Sequence, residues 1–217
     1  MELKKNYGAM LENEIKAIAR RREAEGAARP RLLLHACCAP CSSYVLQYLS
    51  KHFDITLYFY NPNISPKEEN EFRADELIRL CEEMPLENKP KVIVAEYEPE
   101  LFYEAVKGME HLLEGESRCA VCYRQRLEKT AQAAACGGYD YFTTTLTISP
   151  YKRADWLNTI GEELSLKYGV RYLFSDFKKK NGYKISCELS REYNLYRQDY
   201  CGCEYSKRAS EKRTAKI

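Results

Sequence analysis

Short, nearly continuous apolar runs alternate along this chain with longer stretches in which apolar residues recur at helical spacing. The runs stand at 31–35, 55–60, 91–95, 139–145 and 170–174 and are rich in Val, Ile, Leu, Tyr and Phe. Runs of this kind suit strands buried on both faces, and the intervening helices supply the crossovers that a parallel sheet needs. The periodicity predicts helices at 42–51, 66–83, 100–107, 121–136, 150–168 and 187–196. Pro66 and Pro150 suit first-turn positions, while Gly137-Gly138 and Gly169 suit helix ends. The segment before Pro30 reads as an amphipathic helix whose sparse apolar stripe is Leu3, Met10, Leu11, Ile15 and Ile18. Residues 1–29 are therefore expected as a helical arm, which either packs on the core or stands free. Residues 30–217 are expected as a single α/β domain with a basic, helical C-terminal part. The expected fold class is a three-layer, Rossmann-like α/β fold around a parallel sheet.

Composition narrows the class without changing it. At 217 residues, with 45% hydrophobic and 30% charged residues, the chain fits a soluble globular protein, and no apolar stretch reaches the length of a membrane span. The N-terminal segment lacks an apolar core followed by a small-residue cleavage site, so a cytoplasmic location is expected. Net charge is only +2, but its distribution is uneven. From Lys178 onward there are eleven Lys and Arg (178, 179, 180, 184, 191, 197, 207, 208, 212, 213 and 216) against five acids, a local balance of +6. Such a region either neutralises nucleic-acid phosphates or is a solvated helix and tail. Eighteen Tyr against seven Phe is an unusual ratio, and Tyr193, Tyr196, Tyr200 and Tyr205 are interleaved with these cations, where they can stack on unpaired bases.

The chemistry is written in cysteine. Seven of ten fall into three clusters: Cys37, Cys38 and Cys41; Cys119 and Cys122; Cys201 and Cys203. A chain without an export signal meets a reducing compartment, which favours thiolates, metal ligands or a catalytic redox pair over structural disulfides. The first cluster follows the first predicted strand, where nucleotide-binding folds place a glycine-rich phosphate loop, and no such loop is present. Cys119 and Cys122 are three apart at a helix start, so both sulfurs share one face. There the helix dipole, Arg118 and Arg124 are expected to lower their pKa values. With Cys37 and Cys38 they make four thiolates, enough for a closed zinc site or an iron–sulfur cluster. Cys41 is either a ligand to a further metal or a helix-start thiol. In Cys201-Gly202-Cys203 the glycine lets both sulfurs turn one way, to chelate a metal or to close a readily reduced disulfide. Cys81, Cys136 and Cys187 stand alone and read as small core residues.

Polar groups at the same rim are candidates for substrate binding. Thr144 and Thr145 end a predicted strand, Ser149 and Lys152 open the next helix, Tyr60 and Asn61 end another strand, and Arg124 flanks the Cys-x-x-Cys pair. Strand propensity and capping explain the threonines and Ser149 equally well. His35 either tunes the sulfur centre or is a satisfied core histidine.

Taken together and in order, Cys-Cys-Ala-Pro-Cys, Tyr-Asn-Pro-Asn-Ile, Arg-Cys-x-x-Cys-Tyr-x-x-Arg-Leu, Phe-Thr-Thr-Thr-Leu-x-Ile-Ser-Pro-Tyr-Lys and Tyr-Arg-Gln-Asp-Tyr-Cys-Gly-Cys make the sequence resemble the QueH family of epoxyqueuosine reductases over residues 31–206. The resemblance implies reduction of epoxyqueuosine to queuosine at the wobble position of tRNA, independent of cobalamin, on an adenine-nucleotide-hydrolase-like fold. It implies a 4Fe-4S cluster held by Cys37, Cys38, Cys119 and Cys122, an additional iron at Cys41, and a redox-active Cys201–Cys203 pair as the catalytic residues. The implied partners are the anticodon stem–loop of tRNA and an electron donor that the sequence does not identify; no membrane is implied. Asp199 and Tyr200 are candidate proton sources. Two rivals are an ATP-dependent tRNA-thiolating enzyme of the pyrophosphatase-loop type, against which the missing phosphate loop argues, and a non-catalytic, zinc-stabilised RNA-binding module.

Overall fold

A computed structural model describes residues 5–214 of the chain, with side chains through Glu211. Leu3 of the expected apolar stripe and Lys216 of the basic tail lie outside the described residues, as do the side chains of Lys212 and Arg213. Five strands form one all-parallel sheet: β1 (Arg31–His35), β2 (Asp54–Phe59), β3 (Lys91–Val94), β4 (Tyr141–Thr144) and β5 (Arg171–Tyr172). Their order across the sheet is β3-β2-β1-β4-β5. The chain thus winds outward from β1 to one edge and then returns to build the other. The gap between β1 and β4, where the winding reverses, opens at the carboxyl ends of the strands, the usual ligand position of such sheets.

Alternation along β1 sorts the core into two layers. Leu32 and Leu34 face one side with Val45, Leu46 and Leu49 of α2 (Ala39–Leu49) and Leu77 and Leu80 of α3 (Lys67–Glu83). Leu33 faces the other side with Leu127 and Ala131 of α5 (Ser117–Cys136) and Leu157 and Leu164 of α6 (Ala154–Tyr168). All these residues are buried, so each face of the sheet is sealed by helices and the expected three-layer α/β fold is present. The N-terminal helix α1 (Tyr7–Glu25) buries Leu11, Ile15 and Ile18 in the first of these layers, which settles the arm as a packed element. Short α4 (Pro99–Ala105) precedes α5, and α7 (Gly182–Glu192) and α8 (Glu204–Thr214) complete the chain.

Several boundaries differ from the sequence expectation. Helix α2 begins at Ala39, with Cys38 as N-cap, so Cys41 lies within the helix rather than before it. Strand β4 ends at Thr144, and Thr145–Ile148 form a 3-10 turn capped by the Thr144 hydroxyl, which accepts from the Leu146 amide at 3.1 Å. Pro150 sits in the turn before α6, which starts only at Ala154. Helix α7 starts at Gly182, where the polar Asn181 adopts a left-handed backbone and resets the chain direction. Among the described residues no helix is long and apolar enough to cross a membrane.

Candidate active site

The β1–α2 turn delivers the first cysteines. Its backbone is held by the end of β2 and the loop after it: the Ala36 amide donates to the Tyr58 carbonyl, and Asn61 Nδ2 donates to the Ala36 carbonyl at 2.9 Å. Ser42 Oγ donates to the Cys38 carbonyl at 2.9 Å and ties the turn to the first helical turn. In this frame the sulfurs of Cys37, Cys38 and Cys41 lie within 4.8 Å of one another. Cys37 and Cys41 both hydrogen-bond to Cys38, and the Arg73 guanidinium favours the anion there. The trio thus holds its charge on Cys38, whose pKa falls, while those of its two partners rise. Three convergent soft donors, buried or half-buried, can hold a metal ion.

His35 supports this turn instead of facing the sulfurs. It is fully buried; Nε2 donates to the Tyr60 carbonyl at 3.1 Å and Nδ1 stands 2.9 Å from the Thr144 hydroxyl. The pairing of His35 with Thr144 across β1 and β4 makes that contact possible. Burial, aided by the nearby Arg126, drives the imidazole pKa down to about 3, so the ring is neutral and the pattern is that of a satisfied core histidine.

The second and third clusters meet beside the first. Cys119 and Cys122 on the first turns of α5 line a small closed space together with Cys201, Cys203, Asn63 and Arg126. Neither thiol has the lowered pKa that its helix position suggested. Burial raises Cys119 and takes Cys122 up to about 12, because the arginines expected to oppose it point elsewhere. The Arg118 guanidinium donates to the Met109, Glu110 and Leu112 carbonyls and pins that loop, and Arg124 pairs with Glu163 of α6 at the surface. The cation that does face the sulfurs is Arg126, one turn beyond Cys122. It is fully buried, its Nε donates to the Cys122 carbonyl at 3.2 Å, and its Nη2 has no partner. In the sequence Arg126 figures only within the Arg-Cys-x-x-Cys-Tyr-x-x-Arg-Leu motif, although its four-residue spacing from Cys122 places it on the cysteine face.

The Cys201-Gly202-Cys203 loop is docked by backbone and by charge. The Ser65 amide donates to the Gly202 carbonyl at 2.9 Å, and buried Arg73 donates to the Cys201 carbonyl at 3.3 Å while Glu69 holds its Nε at 2.7 Å. The two sulfurs have different surroundings. Cys203 is buried, with Ser206 Oγ at 3.5 Å, whereas Cys201 is half-exposed. Lys152 Nζ lies 2.8 Å from Cys201 Sγ and 2.9 Å from Glu114, and this ammonium is itself buried. A buried cation so placed fixes the position of the Cys201 sulfur at the cavity edge.

A cavity of about 370 Å³ opens above both sulfur groups. Its floor carries Cys37, Cys38, Cys41 and Cys201, and its walls include Ser149, Lys152, Tyr183, Arg197, Asp199 and Tyr200. Of the expected substrate residues, Ser149 and Lys152 reach this cavity. Tyr60, Asn61, Thr144 and Thr145 are buried behind the cysteine turn, and Arg124 is on the outer surface. Glu114 and Tyr183 were not anticipated; nothing in their local pattern marks them, because loop and helix segments far apart in sequence bring them here, and Arg197 was counted only among the C-terminal cations. Cys81 is buried in the core, Cys136 is exposed and Cys187 half-exposed. Of the four interleaved tyrosines, Tyr200 lines the cavity, Tyr205 packs near Phe102, Tyr193 packs at the edge of the core and Tyr196 stacks edge-on against exposed Phe72.

Buried arginines beside clustered thiols suit an anionic metal–sulfur centre, since they supply its counter-charge and hydrogen bonds. Arg126 with its free Nη2 and Arg73 with a free, buried Nη2 are both so placed. The donor set and its surroundings therefore fit such a group.

Comparison with known proteins places the same residues in a wider group. The profile of the family described as epoxyqueuosine reductase QueH matches residues 32–209. The chain is 46% identical over 180 residues to an epoxyqueuosine reductase QueH of Streptococcus pyogenes serotype M1, across 82% of this chain and 71% of the relative. It is 45% identical over 184 residues to one of Staphylococcus epidermidis, across 82% and 76% of the two chains, and 38% identical over 178 residues to one of Thermotoga maritima, across 81% and 89%.

Proposed function

The chain belongs to the QueH family of epoxyqueuosine reductases, and on that footing we propose that it reduces epoxyqueuosine to queuosine at the wobble position of tRNA without cobalamin. The observation that carries the reading beyond the family is the meeting of all three cysteine clusters in two adjoining spaces that share Glu114, Arg126 and Cys201. We assign Cys37, Cys38, Cys119 and Cys122 as ligands of a 4Fe-4S cluster, Cys41 as a ligand to an additional iron, and Cys201 and Cys203 as the catalytic dithiol. When bound, the metal centre supplies stored electrons and a Lewis acid.

The dithiol accounts for the stoichiometry. Converting the epoxide to an alkene breaks both C–O bonds and releases the oxygen as water, which consumes two electrons and two protons. Two thiols that become one disulfide yield two electrons and two protons, so the exchange balances. Cys201 faces the substrate cavity, where Lys152 Nζ holds its sulfur at 2.8 Å; Cys203 waits behind it on the buried side. Strain in a disulfide closed across one intervening glycine favours its reduction, which suits a pair that must be reset by an external donor. Ser149, Tyr183 and Arg197 are placed to orient the nucleoside, and Asp199 and Tyr200 at the same wall are the nearest candidates for handling protons. The thiols of Cys37 and Cys122, with pKa values raised to about 12, are protonated in the metal-free protein, so loading must expel their protons.

Anaerobic purification followed by iron, sulfide and zinc analysis tests the cofactor. The expected result is four or more irons and about four labile sulfides per chain, with loss of the cluster absorbance in Cys119→Ser and its retention in Cys201→Ser. A colourless protein with one zinc and no sulfide would overturn the assignment.

A further inference from the structure

Beside the catalytic cavity runs a second, larger groove of about 1210 Å³. One wall is α1, the other the 176–180 segment, and its floor includes α2. Helix α1 lies outside residues 32–209, so this wall is built by a part of the chain that the family profile does not cover. Two features show what the groove suits. The first is charge: its three carboxylates, Glu12, Asp155 and Asp176, are each paired within it, to Lys180, Arg153 and Lys178. Lys16 and Lys179, both exposed, make no salt bridge among the described residues, although Lys16 lies close enough to Glu12 to act on it, and they leave the groove with net positive charge. The second is aromatic surface: Tyr44 and Tyr48, one turn apart on α2, lie half-exposed in it with nearly parallel rings, 6.0 Å between centroids.

Cations beside aromatic faces are the chemistry of unpaired nucleotides, whose phosphates need charge and whose bases need a stacking surface. The groove also adjoins the catalytic cavity: Lys152 lines both, and Arg153 follows it into the groove. A nucleoside in the cavity is attached to neighbouring nucleotides, and this groove is the adjoining surface that offers them both charge and aromatic faces. We propose that this groove is a subsite for the anticodon-loop nucleotides adjoining the modified base, with Lys16 and Lys179 meeting phosphates and Tyr44 and Tyr48 stacking on a base. The inference rests on the reading of a tRNA anticodon loop as substrate.

The test uses the metal-loaded protein and a hairpin with the anticodon-loop sequence that carries epoxyqueuosine. Binding is followed by fluorescence anisotropy over a range of salt, and turnover is followed on both the hairpin and the free epoxyqueuosine nucleoside. Lys16→Glu with Lys179→Glu is expected to raise the hairpin Kd about tenfold and to reduce the slope of log K against log salt by about 1.4, two contacts at about 0.7 each on a single strand. Tyr48→Leu is expected to weaken binding about fivefold with the salt slope unchanged. Activity on the nucleoside and the cluster absorbance should stay at the wild-type level in all of these. Lys91→Glu, on the exposed start of β3 at the far sheet edge, should change nothing. An unchanged hairpin Kd and slope in the double variant overturns the subsite even if the wild type reduces the hairpin. If the wild type binds the hairpin but does not reduce it, and the variants still weaken binding, the subsite stands and the reductase reading falls.

Discussion

Gly202 shows how closely single residues define the site. Its φ of +128° is a conformation that residues with a Cβ rarely adopt, and an added Cβ would lie 2.9 Å from Ile64 Cγ1 and 3.3 Å from Arg73 Nη1. Gly202→Ala must therefore displace the loop that sets Cys201 and Cys203. We expect reductase activity to fall more than about tenfold with a stability loss of about 1–3 kcal/mol, measured by turnover and by denaturant unfolding. His35 gives a second prediction, with a defined sign. Its folded pKa of about 3 lies below the ordinary 6.5, so between these values the unfolded chain binds one more proton than the folded one. Stability should thus be fully present above about pH 6.5 and fall as pH drops, by up to about 1.4 kcal/mol per pH unit from this group. Denaturant unfolding at several pH values should show this slope reduced in His35→Gln. The cysteines were legible at this scale because clustering is a local property of sequence. Arg126 and Lys152 were harder: one was hidden among the four arginines and lysines of α5, and the meaning of the other depends on a sulfur forty-nine positions away.

Elements were legible where the pattern was local and strong. All five strands and the order of strand and helix follow from the spacing of apolar runs. The ends were less legible because capping groups and turns decide them: the Thr144 hydroxyl converts the expected end of β4 into a 3-10 turn, and Pro150 stands in the turn before α6. Helix α8 has little apolar content, and it is tied to the fold by its position after Cys203, the burial of Ser206 and Ser210, and the packing of Tyr205 near Phe102. The packing of α6 on the sheet offers a direct check. A Cβ at Gly161 would fall 2.4 Å from the ring of buried Tyr172 on β5. Gly161→Ala is expected to destabilise the protein by about 1–3 kcal/mol through overpacking, despite the better helix propensity of Ala. Because Lys152 stands two residues before the start of α6, we expect the same variant to lower turnover as well, and Tyr172→Ala in combination to restore part of the lost helix packing.

At the scale of the whole molecule, the winding order is what turns three distant sequence clusters into one site. Strand β1 ends at the switch point of the sheet with the first cluster. Helix α5 starts the return that feeds β4 and carries the second, and the chain after α7 returns across α3 to deliver the third through Ser65 and Arg73. The sequence showed that such a meeting was needed. It did not show that Cys119 and Cys122 would share their space with Cys201 and Cys203 rather than standing apart with Cys37 and Cys38, because that depends on how the last forty residues fold back. The most direct test of the account is conversion of epoxyqueuosine in tRNA by the anaerobic, metal-loaded and reduced protein, with nucleosides analysed by mass after digestion. The account predicts queuosine from the wild type, and with Cys201→Ser a fall of more than about a hundredfold at unchanged iron and sulfide content, as expected when the group that reacts is removed. Undiminished queuosine formation by Cys201→Ser, or none from a fully loaded wild type supplied with a reductant, would contradict it.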